Sequence, residues 1–83
     1  MSSPFLMNFV AGLVDRMVAE RALELRPGSF DRVVRFVAGR LAGEGLKSLV
    51  STLTHAFQEC EDVLEYYPDD GALKDMITHL RSW

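Results

Sequence analysis

The apolar positions near the start of the chain exceed what one buried helix face requires. Phe5, Leu6, Met7, Phe9, Val10, Ala11, Leu13, Val14, Met17, Val18, Ala22, Leu23 and Leu25 are interrupted mainly by Asn8, Gly12, Asp15, Arg16, Glu20, Arg21 and Glu24. On a helical wheel the apolar residues from Phe5 to Val14 cover well over half of the circumference, whereas a surface helix needs a stripe of roughly 100° or somewhat more. The surplus needs a cover, most simply another protein. The pattern predicts a first helix over residues 4–25, with Ser3 as N-cap and Pro4 at the first helical position, where a missing N–H costs nothing. Arg26-Pro27-Gly28 ends it, because a residue before proline disfavours the α conformation and glycine permits a turn.

Three further helices follow from the same periodicity. Ser29 is the expected cap of a helix over 30–42, with Asp31 in its first turn and a stripe of Phe30, Val33, Val34, Val37 and Leu41. Gly43-Glu44-Gly45 ends it. A third helix over 46–66 carries Leu46, Leu49, Val50, Leu53, Phe57, Cys60 and Leu64 at helical spacing, opposite a polar face of Lys47, Ser48, Ser51, Thr52, His55, Gln58, Glu59 and Asp62. Asp69 or Asp70 caps a last helix over 70–82 with Leu73, Met76, Ile77, Leu80 and Trp83 on its apolar side. The expected fold is therefore all-α: a single domain over 1–83, built as a compact four-helix bundle with short connections.

Charge refines this picture. The formal net charge is −3, which disfavours nucleic acid as a partner. Residues 1–45 carry six Arg against five acids, and residues 46–83 carry three basic residues against seven acids. The acidic run Glu59, Glu61, Asp62, Glu65, Asp69, Asp70 encloses Tyr66 and Tyr67. Aromatic anchors with an acidic rim suit a basic protein partner. No apolar stretch reaches the roughly 20 residues of a membrane span. A single cysteine and no basic, cleavable leader point to the cytoplasm.

Candidate chemistry is sparse. His55, Glu59 and Asp62 share a helical face at i, i+4 and i+7, but a solvated polar face accounts for that spacing without a metal. Cys60 falls on the apolar stripe and reads as a small hydrophobe. Asp75 and His79 form an i, i+4 surface pair. The tripeptide Asp-Ser-Leu that marks an acyl-carrier attachment site is absent, since Ser29 lies in Pro-Gly-Ser-Phe-Asp. The second and third helices have a helix-turn-helix outline, in which Arg32, Arg35 and Arg40 could touch phosphate and Lys47, Ser48, Ser51, Thr52 and His55 could contact base edges. The first helix is amphipathic, but Asp15, Arg16, Glu20, Arg21, Glu24 and Arg26 nearly cancel in charge, which disfavours a membrane-surface role.

The expectation from sequence is a non-catalytic protein-interaction or adaptor module without a cofactor. It self-associates through Phe5, Leu6, Phe9, Val10, Leu13 and Met17, and binds a partner through Glu59, Glu61, Asp62, Glu65, Tyr66 and Tyr67. A small DNA-binding regulator and an antitoxin-type inhibitor of an enzyme are the alternatives.

Overall fold

α1 spans Pro4–Ala19 and buries Val10, Leu13, Val14 and Met17, a narrow stripe at helical spacing. The computed structural model describes residues 4–44 and 48–81, the side chain of Arg81 apart. The expected cap Ser3, the expected helix start at Leu46 and Lys47, and Trp83 lie outside the described residues. The other elements are β1 (Leu23–Leu25), α2 (Phe30–Glu44), α3 (Leu49–Glu59), β2 (Val63–Tyr66) and α4 (Asp70–Arg81). The fold is mostly helical rather than all-α, because β1 and β2 pair into a two-stranded antiparallel sheet.

Two of the expected helices are therefore too long. α1 ends six residues early, through main-chain hydrogen bonding. The Ala22 N–H donates to the Met17 carbonyl at 2.8 Å, and the Arg21 N–H to the Val18 carbonyl at 3.1 Å. This is the 6→1 and 5→2 pairing of a Schellman cap. Its left-handed position is usually glycine, and here it is Arg21, with φ 59°. The chain then leaves extended as Leu23-Glu24-Leu25, with Leu23 buried and Glu24 exposed. α3 ends at Glu59, where Cys60 turns extended at φ −76° and ψ 119°. Leu64, expected on the α3 stripe, is instead a strand residue and 48% exposed.

The sheet pairs Leu23 with Tyr66, Glu24 with Glu65 and Leu25 with Val63, so Leu64 is the extra residue of a bulge. The Tyr67 N–H donates to the Ala22 carbonyl at one end, and the Arg26 N–H to the Asp62 carbonyl at the other. A turn over Arg26–Ser29 leads into α2. Pro27 and Gly28 are its central residues, Gly28 has φ 76°, and the Ser29 N–H donates to the Arg26 carbonyl at 3.2 Å. Those features fit a type II turn. Ser29 precedes α2 as expected, but its hydroxyl donates to the Arg26 carbonyl at 2.6 Å and so fastens the turn rather than capping the helix. At α4 the cap is Asp69, whose Oδ1 accepts the Ala72 N–H at 2.8 Å.

The core draws on every helix. Val33, Val34, Val37, Ala38 and Leu41 of α2 meet Leu53, Ala56 and Phe57 of α3, Leu73, Met76 and Ile77 of α4, and the α1 stripe. α1 packs on α2 and α4, and α3 packs on the same two. At Gly12 α1 faces Leu80 of α4, where a Cβ would make an ordinary contact at 3.6 Å. The surplus apolar surface of α1 is thus covered largely by its own chain. Val10, Leu13 and Met17, expected to self-associate, are wholly buried, and Leu6, Met7, Phe9 and Ala11 pack partly against the core.

Two outcomes follow for stability. Phe57→Ala empties the centre of the core and is expected to cost about 3–5 kcal/mol, whereas Gln58→Ala, on the exposed face, stays within about 0.5 kcal/mol. Arg21→Gly is expected to stabilise by about 0.5–1 kcal/mol, the left-handed cost relieved less the extra backbone entropy that glycine loses. Urea denaturation measures both. A destabilised Arg21→Gly protein would show that the arginine side chain contributes more than its backbone costs.

Candidate binding groove

The acidic run expected to meet a partner is divided by the fold. Asp62 sits in the turn between α3 and β2, beneath two arginines. Arg32 grips it with two hydrogen bonds, Nε to Oδ2 at 3.1 Å and Nη2 to Oδ1 at 3.3 Å. Arg26 Nε lies 3.4 Å from Oδ1. The hydrogen bond from Arg32 is the main cause that holds the Asp62 carboxyl below the usual range, against a smaller opposing effect of desolvation. Glu59 pairs with Arg40, whose guanidinium also lies 5.1 Å from the Phe36 ring centroid. Tyr66 is half-buried: its ring stacks on Phe57 at 5.4 Å and its hydroxyl lies 3.2 Å from Thr54 Oγ1. Burial pushes its pKa up, partly offset by the Thr54 hydrogen bond.

Glu61, Glu65 and Tyr67 are exposed members of that set that make no ion pair among the described residues, with Tyr67 64% exposed. Tyr67 leads to a feature that the sequence did not announce. A groove of about 620 Å³ runs beside β1. Val18, Leu23, Leu25, Pro27, Phe30 and Tyr67 supply its apolar lining, and Asp15, Arg21, Glu24 and Arg26 its charges. Val18 is 43% exposed there, so the part of the α1 surplus that the core leaves uncovered lines this groove. At the opposite end of α1, Phe5 is 74% exposed, with Leu6 and Phe9 partly covered.

The other sequence candidates do not converge on chemistry. His55 is exposed on α3, Glu59 is held by Arg40, and Asp62 lies beyond the end of the helix, so the three do not share a helical face. Among the described residues no group of three or more His, Cys, Asp or Glu side chains is placed to hold a metal ion. Cys60 is buried against the core, and Asp75 and His79 are exposed on α4. A polar cleft between α2 and α3 is lined by Arg40, Glu44, Ser48, Ser51, Thr52, His55 and Glu59. Of the arginines expected to touch phosphate, Arg32 and Arg40 are engaged by carboxylates, while Arg35 is exposed. No helix among the described residues is long and apolar enough to cross a membrane. No protein-family model, curated protein or solved structure matches the chain.

The Asp62 clamp makes stability depend on pH in one direction. A carboxyl with a lowered folded-state pKa stabilises the fold above the ordinary Asp value of about 3.9, and that stabilisation is lost as pH falls through the folded value. Asp62→Asn is expected to lower stability at neutral pH and to remove part of the acid-induced loss. Urea denaturation at pH 7 and pH 3 reads both. An unchanged acid dependence in the variant would mean that other carboxylates account for it.

Proposed function

We propose that this chain is a non-catalytic protein-interaction module acting in the cytoplasm, with the groove beside β1 as its principal binding face. The observation that carries the reading is the exposure of Val18 and Tyr67 on a groove whose apolar lining is bordered by charged residues. Concave apolar surface with a few charges around it is the usual form of a recognition site. In this reading the four helices form a bundle that serves as scaffold, supported by the successive packing of α1 on α2, α2 on α3, α3 on α4 and α4 on α1. The test is a pull-down from source extract that recovers nucleic acid as well as protein. The native chain is expected to retain a protein that the Val18→Ser, Tyr67→Ser double variant releases. Retention of that partner by the folded double variant, or recovery of nucleic acid alone, overturns the reading.

Self-association is a second reading, supported by the exposed Phe5 at the other end of α1. It rests on Phe5, Leu6 and Phe9, since Val10, Leu13 and Met17 already face the chain's own core. Light scattering at micromolar concentration is expected to give a species larger than the 9.3 kDa monomer, and Phe5→Ser to return it to the monomer. A native chain that is already monomeric removes this reading.

A further inference from the structure

The groove has an electrostatic conflict along one side. Glu24, which lines it, stands directly opposite Glu65 in the register of the sheet. Like charges at opposed strand positions repel and destabilise the pair. Both residues are exposed, and neither makes an ion pair among the described residues. Arg26, the next lining cation along the chain, is turned to Asp62 by an ion pair. Asp15 and Arg21, also on the lining, make no ion pair among the described residues. The four charged residues of the lining cancel, two acids against two arginines, and Glu65 opposite Glu24 tips the balance to negative.

Resting on the reading of this groove as a protein-binding face, we propose that its occupant is a peptide segment bearing Lys or Arg beside an aromatic or aliphatic residue. The cation lies between Glu24 and Glu65 and relieves their repulsion. The neighbouring apolar side chain seats against Val18, Leu25, Phe30 and Tyr67. Recognition is by side chains rather than by strand addition, because Leu23 is only 3% exposed and leaves no open main-chain edge there. An arginine suits the position best, since its planar fork can hydrogen-bond both carboxylates.

The arrangement makes opposite demands on stability and on binding. Glu24→Gln and Glu65→Gln each remove a repulsion from the free chain and an attraction from the complex. Both positions are exposed, so the variants are expected to fold.

The probe is a random peptide library displayed on phage and selected against the full chain, with the enriched sequences then synthesised. The expected result has three parts. Enriched peptides carry a basic residue next to an aromatic or aliphatic one. Their binding weakens about ten-fold or more in the Glu24→Gln, Glu65→Gln double variant, a loss of about 1.4 kcal/mol. The same variant has a higher urea midpoint than the native chain without peptide.

Peptides that depend on Tyr67 but not on the two glutamates overturn this inference and leave the groove reading standing. If no peptide is lost on Tyr67→Ser, both fall. Concentration-dependent dimerisation of the free chain that the double variant abolishes would make a second copy the occupant and would overturn the peptide assignment.

Discussion

Asp62 is the constraint on which the chain's path depends. Its carboxylate receives a two-pronged grip from Arg32 at the start of α2 and a second contact from Arg26. Its carbonyl accepts the Arg26 N–H at 2.8 Å. One residue thus ties the turn after α3 to the turn before α2 through both side chain and main chain. Without that tie, residues 60–64 keep a pattern compatible with further helix. With it, Val63–Tyr66 lies against β1, and Tyr66 comes to stack on Phe57. The side chain of Asp62 is only 14% exposed while both arginines remain more than half exposed, so the guanidinium groups shield the carboxylate and stay solvated themselves. That asymmetry spares the cost of burying two isolated opposite charges.

The helices were legible where burial alone decides. Leu53 and Phe57, the valines of α2, and Leu73, Met76 and Ile77 all lie on the stripes that their spacing predicts. The missed boundaries share a physical cause. α1 stops on a left-handed residue that is normally glycine, and an arginine there gives no signal at the level of sequence. α3 stops because a long-range pairing competes with helix, and local periodicity carries no information about β1, some forty residues earlier. Cys60 still packs on the core after the helix has ended, which preserved the false continuity of the stripe.

The candidate binding face was less legible, for a related reason. Counting acids along 59–70 treats them as one patch, but folding gives them different tasks. Glu59 meets Arg40, Asp62 meets Arg26 and Arg32, and Asp69 caps α4. What remains exposed becomes meaningful only beside residues from the other half of the chain. Tyr67 joins Val18, Leu25 and Phe30 because its N–H pairs with the Ala22 carbonyl. Glu65 acquires its significance from Glu24, a neighbour that only the sheet register supplies.

Destabilising features concentrate around the groove. Arg21 holds a left-handed backbone on its lining, Val18 and Tyr67 leave apolar surface in water, and Glu24 opposes Glu65. The left-handed backbone and the opposed glutamates cost stability that a glycine or a glutamine would spare, whereas Val18 and Tyr67 forgo only the gain that burial would bring. On the adjoining face of α1 the same chain packs Val10, Leu13, Val14 and Met17 without any exposed surface. A short chain with no disulfide has little stability to spare, and a binding demand is one reason for a surface to keep such costs. Their coincidence on one concave face is what the proposed binding role would account for. In the proposed complex a cationic and apolar segment would relieve the charge repulsion and bury the apolar surface together, whereas the backbone cost at Arg21 remains.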